Sequence, residues 1–122
     1  MQRAIVIVDH GSRRREANAL VEEIAASLGA RIPDHIVRHA HMELEPPSLA
    51  DSVAECVAEG AREIAVHPYF LGPGNHTSDD IPRLAREAAA THPGVSVMVT
   101  PPIGPHPLLE EIVLERVREV LP

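Results

Sequence analysis

The stretch EIAVHPYFLGPGNHTSDDIP, residues 63–82, contains the features that decide the fold. It begins as a short apolar run rich in β-branched residues, which is typical of a strand covered on both faces. A Gly-Pro-Gly turn signal at 72–74 follows, and the Ser-Asp-Asp run at 78–80 offers helix N-cap candidates. The stretch therefore predicts a strand that leads through a tight turn into a helix.

The same strand–turn–helix unit recurs four times along the 122 residues, which predicts an α/β fold. We expect one domain over residues 1–122, a three-layer sandwich in which a four-stranded parallel sheet is flanked by helices. The predicted strands are 3–9, 35–42, 63–71 and 95–100. The predicted helices are 13–28, ended by Gly29; Ser48 to about Glu59; 78–80 to about Thr91, with Pro82 in the first turn; and one from about Leu108 to Val120.

Composition excludes several classes of protein. The net charge of −7 argues against a nucleic-acid partner, and the single Cys56 excludes an intrachain disulfide. No apolar run approaches the roughly 20 residues that span a bilayer, and no secretory signal pattern is present, so we expect a cytoplasmic protein without a membrane partner. The eight histidines are numerous for this length, and histidine is the commonest metal ligand.

Three side chains that can bind a metal ion follow the ends of predicted strands: His10, Glu43 and His76. The carboxyl ends of parallel strands share one edge of the sheet, where such folds bind ligands. Imidazole and carboxylate together suit first-row divalent metals. We expect His10 and His76 to bind the metal and accept protons, with Glu43 assisting.

Each of these residues also has a simpler interpretation. His10 could be a loop histidine that caps the first helix together with Ser12, and His76 could lie in an ordinary strand-to-helix turn. Glu45 competes with Glu43 for the role of the acid. Gly72 and Gly74 indicate backbone conformations or close approaches that a side chain would block, which favours a functional loop.

Arg13, Arg14 and Arg15 stand at the predicted start of the first helix, next to His10. Positive charge is unfavourable at a helix N-terminus, by less than about 1 kcal/mol at exposed sites. The arginines could simply be solvated, or they could bind carboxylates through their guanidinium groups. A polyacidic ligand would need such a basic patch on an acidic protein.

Four motifs together resemble the short, single-domain class II chelatases of the sirohydrochlorin family, called CbiX or SirB. They are VDHGSRRREAN at 8–18, AHMELEPPSLADS at 40–52, PYFLGPGNHTSDDIP at 68–82 and PPIGPHPLLEEIV at 101–113. HGSRR with AHMEL looks most like the branch that serves sirohaem synthesis. The sequence departs from the family pattern at Asn75 and Pro46, where a basic and an acidic residue are usual.

The resemblance implies a chelatase-like half-domain that works as a homodimer. The implied reaction inserts a divalent metal, Co²⁺ or Fe²⁺ and possibly Ni²⁺, into sirohydrochlorin with release of two protons, in sirohaem or cobalamin biosynthesis. The metal is then a substrate, and no tightly bound cofactor is expected. His10 and His76 match the family's paired histidines, Glu43 matches its acid, and the expected substrate-binding residues are Ser12, Arg13, Arg14, Gly72, Gly74 and Asn75.

Two other functions fit parts of this pattern. A non-catalytic carrier or storage module for divalent metals would use the same histidines, and it predicts tight metal binding without affinity for a tetrapyrrole. A phosphate- or nucleotide-binding α/β domain fits the fold but lacks the glycine-rich loop and lysine of such sites.

Overall fold

The computed structural model describes residues 2–74 and 77–122. Strands and helices alternate along the chain, as the sequence predicts. In chain order the elements are β1 (Arg3–Asp9), α1 (Arg15–Arg31), β2 (Ile36–His41), α2 (Leu49–Ala58), β3 (Glu63–Pro68), α3 (Thr77–Ala90), β4 (Ser96–Val99) and α4 (Pro107–Val120).

The four strands form one parallel sheet in the order β2-β1-β3-β4. The connections from β2 to β3 and from β3 to β4 run in one direction across the sheet, and the connection from β1 to β2 runs in the other. Right-handed crossovers therefore place α1 on one face, and α2 and α3 on the opposite face. The predicted α/β sandwich with a four-stranded parallel sheet is confirmed.

The main core lies between the sheet and the α2–α3 layer. Val6, Ile64 and Val66 point into it from β1 and β3, and each has no exposed surface. Val53 and Ile81 meet them from the two helices and are equally buried. Burying an aliphatic side chain of this size contributes about 1.5–3 kcal/mol, so this layer is the principal source of stability. A smaller cluster of Ile7, Val21 and Ala25 joins α1 to the other face.

Several predicted helix boundaries need correction. Gly29 does not end α1, which continues to Arg31 with Ile32 as its C-cap. The helix can continue because Gly29 has no positive φ, and because a β-carbon there would meet Val37 only at an ordinary contact distance. Pro33 follows directly and cannot extend the helix, so it supplies the stop that the sequence interpretation gave to Gly29.

The helix α2 is confirmed, whereas the start of α3 differs from the prediction. Ser48 caps α2 by accepting a hydrogen bond from the Asp51 backbone N–H at 3.1 Å. The expected caps at 78–80 lie inside α3, which begins at Thr77, so Asp79 and Asp80 instead place negative charge in its first turn. Pro82 consequently lies one turn further into the helix than predicted.

The strand β3 ends at Pro68, three residues before the predicted end at Leu71. The chain still bonds beyond the strand, because the Tyr69 N–H donates to the Val8 carbonyl at 2.7 Å. The predicted site residues Asn75 and His76 lie outside the described residues. Within the described ranges, no helix is both long and apolar enough to cross a membrane.

The helix α4 packs differently from the other three. All 14 of its residues are described, and none is buried. Six of its seven large apolar side chains are at least 41% exposed, and the seventh, Leu109, is half-buried; the six are Leu108, Ile112, Val113, Leu114, Val117 and Val120.

The sheet face that α1 shares is also partly open. On β3 and β4 this face carries Ala65, His67 and Met98, and Met98 is 50% exposed. Two cavities of about 200 and 340 Å³ border the same face. One chain therefore leaves both an apolar helix and part of a sheet face without cover.

Candidate active site

The topology brings two loops together at one edge of the sheet. The chain leaves β1 towards β2 and leaves β3 towards β4, so the crossovers diverge between the adjacent strands β1 and β3. Parallel sheets bind ligands at such a point, outside the carboxyl ends of the strands. The loop after β1 carries His10, and the loop after β3 carries Phe70 and leads towards residues 75–76.

His10 presents its imidazole at this edge. Its side chain is exposed, and its ring lies 4.5 Å from the ring of Phe70 with an interplanar angle of 51°. A cavity of about 270 Å³ opens beside it, lined also by Ser12, Leu20 and Tyr69. The Phe70 contact supports one side of the imidazole and leaves the remaining surface available to a ligand.

Gly11 allows the loop after β1 to pass directly over the chain near Glu43. Its φ is +86°, and a β-carbon at this position would lie 1.9 Å from the Glu43 carbonyl oxygen. The two loops are hydrogen-bonded at the same place, because the Glu43 N–H donates to the His10 carbonyl at 3.2 Å. Only glycine satisfies both the backbone angle and the contact.

Glu43 lies beyond β2 rather than at its end. The strand stops at His41, and the Glu43 side chain is exposed in the loop that follows. The chain turns there because Leu44 adopts a φ of +71° and the Glu45 N–H donates to the Glu43 carbonyl at 2.9 Å. Glu43 therefore follows the end of the strand, as expected, and its backbone lies against that of His10.

Ser12 is held in place by a side chain that the sequence interpretation did not consider. Asn18, only 8% exposed, accepts from the Ser12 N–H at 2.9 Å and donates to the Ser12 carbonyl at 2.7 Å. The Ser12 hydroxyl accepts from the Arg14 N–H at 3.0 Å, just before α1 begins. Ser12 thus shapes the entry to α1 without capping it, because the N-cap residue is Arg14, which has no side-chain cap hydrogen bond.

A polar cavity of about 510 Å³ lies on the other side of this loop. Arg13 and Arg15 line it, whereas the expected Arg14 is the N-cap residue of α1 and does not. Neither Arg13 nor Arg15 forms an ion pair with a described residue. The remaining lining residues that can carry charge are Glu22, His39, His41 and Glu45.

The expected backbone requirement for glycine at position 72 is not supported by the described residues. A β-carbon there would meet no atom within 4 Å, and its φ lies outside the left-handed region, so neither sterics nor backbone angle requires glycine. Gly74 is exposed. The close approach in this region is made by Gly104, where a β-carbon would lie 2.1 Å from the Leu71 carbonyl oxygen.

The principal feature that sequence reasoning missed is a partly buried pair of ionisable side chains. Asp9 and His41 are register partners on β1 and β2, and the Asp9 Oδ1 lies 2.6 Å from the His41 Nδ1. The apolar run that predicted β1 gave Asp9 no significance beyond ending a strand. The alternation of His39 and His41 with apolar residues in β2 did place them on one side, and their rings lie 5.7 Å apart.

Two other histidines near the carboxyl edge have structural partners. His106 caps α4 by accepting from the Leu108 N–H at 3.1 Å. His67 is partly buried, with its Nδ1 2.7 Å from the Thr100 hydroxyl, and burial lowers its pKa. In the part of the chain that the structure describes, no three His, Cys, Asp or Glu side chains are grouped to hold a metal ion.

The motifs at this edge match a known family over almost the whole chain. The CbiX family model matches residues 4–120. The chain belongs to the CbiX family. Among its relatives, the chloroplastic sirohydrochlorin ferrochelatase of Arabidopsis thaliana is 45% identical over 117 residues, which cover 96% of this chain and 52% of the plant protein. The sirohydrochlorin cobaltochelatase of Methanococcoides burtonii is 33% identical over 96% of this chain and 95% of the archaeal protein.

Solved structures of this CbiX family show the same fold. The crystal structure of the sirohydrochlorin chelatase SirB from Bacillus subtilis subspecies spizizenii, in complex with cobalt, has a TM-score of 0.87 at 29% identity. The match covers 98% of this chain and 51% of the SirB chain. This chain thus spans about half the length of the plant and Bacillus relatives, but nearly all of the archaeal one.

Proposed function

We propose that this CbiX-family chain is a lyase-class chelatase that inserts a divalent metal into sirohydrochlorin. The observation that carries the proposal is the exposed imidazole of His10 at the point where the crossovers diverge: its ring packs against Phe70, and its backbone carbonyl accepts from the Glu43 N–H. The names of the plant, archaeal and Bacillus relatives all specify sirohydrochlorin as the substrate.

The proposed roles follow from what metal insertion requires. The incoming ion must lose water, and two pyrrole N–H groups must lose their protons as the metal enters the ring. His10 and His76 bind the ion and accept protons, because neutral imidazole can do both near neutral pH. Glu43, whose carboxylate is exposed beside the His10 loop, passes protons to solvent. A ligand set this small leaves coordination positions open, so the metal is held loosely enough to be transferred.

The acidic side chains of the tetrapyrrole are proposed to contact the predicted basic and polar residues. Arg13 meets this role well, since it lines the polar cavity and has no ion-pair partner among the described residues. Arg15 shares both properties and joins the proposed set. Arg14, Ser12, Gly72, Gly74 and Asn75 stay as predictions from the sequence.

The identity of the metal and the pathway are finer proposals. We propose Co²⁺ or Fe²⁺, since the relatives include both a cobaltochelatase and a ferrochelatase, with Ni²⁺ as a further possible ion. The product would serve sirohaem or cobalamin synthesis. We propose a cytoplasmic location, for which the free thiol of the buried Cys56 is suited because reducing compartments keep thiols unpaired.

We also propose that two copies of this single domain form a homodimer. The uncovered apolar face of α4 and the open face of β3 and β4 supply the surface, and exposed apolar area of this extent marks an interaction site. The SirB chain, about twice as long, aligns with this chain over half of its length, so a second copy would supply a comparable second half.

The oligomeric state can be tested by light scattering coupled to size-exclusion chromatography. A Val113→Glu variant places a charge in the apolar face of α4, whereas Glu115→Gln alters a neighbouring polar position on the same helix. We expect the wild type and Glu115→Gln to elute as dimers and Val113→Glu as a monomer. A monomeric wild type at micromolar concentration would rule out the homodimer.

The first experiment on function is an anaerobic absorbance assay with sirohydrochlorin, offered Co²⁺ and Fe²⁺ separately. We expect insertion to be faster with protein than without it. His10→Ala should abolish this acceleration and leave the far-ultraviolet circular dichroism unchanged. His92→Ala, a histidine in the turn after α3 at the opposite edge of the sheet, is the matched control and should retain full activity.

Two outcomes would overturn these assignments. Metal binding without any acceleration over the spontaneous rate would favour the metal-carrier function instead. Undiminished turnover by His10→Ala would remove His10 from the reaction while leaving the chelatase function intact.

A further inference from the structure

The Asp9–His41 pair, in which His41 is buried and Asp9 is partly buried, lies directly beneath the proposed site. His41 is 2% exposed, and its Nδ1 is 2.6 Å from the Asp9 Oδ1. The same Oδ1 accepts a second hydrogen bond from the Gly11 backbone N–H at 3.0 Å. One carboxylate oxygen therefore joins β2 to the turn that immediately follows His10.

The backbone around this pair continues the link. The Met42 N–H donates to the Asp9 carbonyl at 2.9 Å, and the Glu43 N–H donates to the His10 carbonyl at 3.2 Å. The proposed ligand His10 is thus adjacent to Asp9 in the chain, and the proposed acid Glu43 lies two positions after His41. Any movement of Asp9 relative to His41 changes the distance between those two functional groups.

The pair is not needed to fill space. A buried pair of ionisable groups contributes little net stability, because desolvation offsets the attraction, and apolar residues of similar volume commonly do as well. The five preceding positions of β1, from Ala4 to Val8, are all apolar, so this strand departs from its own pattern at Asp9. Departures of this kind are expected at functional or strained sites.

We propose that Asp9 and His41 are positioning residues that fix the His10 turn against the Glu43 loop. The inference rests on the proposed chelatase function, since it concerns the two groups assigned to metal binding and proton transfer. Neither residue contacts the substrate in this role. Asp9 acts through Gly11 and His10, and His41 acts by holding the Asp9 carboxylate in the orientation that accepts from Gly11.

Three variants separate this role from simple stabilisation. His41→Leu fills much of the space but cannot donate to Asp9, whereas His41→Asn keeps an N–H donor near the position of Nδ1. Ser52→Ala is the matched control, because it also removes a 2.7 Å hydrogen bond of a residue only 1% exposed, the one to the His39 carbonyl. That bond lies away from the His10 turn.

The primary measurement is the split between kcat and KM in the sirohydrochlorin assay. Partners that orient metal ligands typically account for 10- to 100-fold in activity or metal affinity, so we expect His41→Leu to lose about 10- to 100-fold in kcat. His41→Asn should recover most of this loss. Ser52→Ala should lose stability without a loss in kcat. Equal kcat in His41→Leu and Ser52→Ala, with the wild type active, would overturn the inference.

Amide hydrogen exchange provides a readout that does not depend on activity. His41→Leu should accelerate exchange at Gly11 and Glu43, and Ser52→Ala should not. If the wild type shows no chelatase activity, the proposed function fails, yet exchange still decides whether the pair holds the two loops together. Unchanged exchange at both amides would overturn the positioning role. If His41→Leu fails to fold, Asp9→Asn, which keeps the shape but removes the charge, takes its place in both measurements.

Discussion

Replacing Gly11 with alanine should damage both stability and activity, because two constraints coincide at this residue. Its φ of +86° is one that side chains disfavour, and an added β-carbon would lie 1.9 Å from the Glu43 carbonyl oxygen. The two atoms must separate by roughly 1.5 Å to reach ordinary contact, and the Glu43 N–H bond to the His10 carbonyl resists that movement.

The chain offers a matched control for this variant. Gly94 has a nearly identical φ of +87°, but a β-carbon there would meet nothing within 4 Å. The left-handed conformation alone costs a residue with a side chain about 1–2 kcal/mol, which is the loss expected for Gly94→Ala. Forcing an extra methyl group into a filled space adds about 1–3 kcal/mol, so Gly11→Ala should lose about 2–5 kcal/mol in total.

Urea unfolding followed by circular dichroism measures both values. Domains of this size have about 5–15 kcal/mol of stability in total, so Gly11→Ala stays folded when the wild type lies above the lower end of that range. In the sirohydrochlorin assay, Gly94→Ala should keep wild-type turnover, whereas Gly11→Ala should lose it through displacement of the Glu43 loop. Equal losses of stability in the two variants would refute the reasoning, because they would show that the Glu43 contact imposes no constraint.

Two further predictions follow from groups outside the proposed site. Burial raises the pKa of the Cys56 thiol to about 11, so a thiol reagent at about pH 8 should label the native protein far more slowly than the urea-unfolded chain. Rapid native labelling would contradict the burial of Cys56. Burial also lowers the pKa of His67 in the folded state, so the unfolded chain binds more protons below the ordinary value of 6.5. The contribution of His67 to stability should therefore be complete above that pH and decline as the pH falls through 6.5 towards the lowered pKa; a His67→Gln variant with the same acid slope in urea unfolding as the wild type would contradict this.

The elements that the sequence predicted well are those with strong local signals. β1 is predicted with its observed bounds, because the apolar run is bounded by an arginine and an aspartate that mark the two ends of the strand. α2 was predicted nearly as well, because Ser48 is a true side-chain cap. Gly29 failed as a stop because nothing in the local sequence reveals whether a glycine must leave the helical conformation.

The sequence predicts which edge of the sheet carries the candidate site, but it does not predict the contacts within that site. Placing His10 and Glu43 on neighbouring loops required only strand order and the rule for parallel sheets. The Gly-Pro-Gly sequence makes Gly72 conspicuous, whereas the contact that excludes a side chain at Gly11 comes from Glu43, 32 residues away in the sequence. Contacts of this kind depend on the register between β1 and β2, which no local pattern specifies.

The same register explains why the missed residues and the functional loops coincide. Asp9 lies opposite His41 at the last pair of the β1–β2 ladder, so a side-chain contact there controls how the two following loops leave the sheet. Two apolar side chains could be buried equally well at these positions, but neither could accept a hydrogen bond from the Gly11 N–H. A side chain at this position that accepts hydrogen bonds therefore transmits the register of the sheet to His10, and we infer that precision at the edge, rather than stability of the sheet, explains the presence of Asp9.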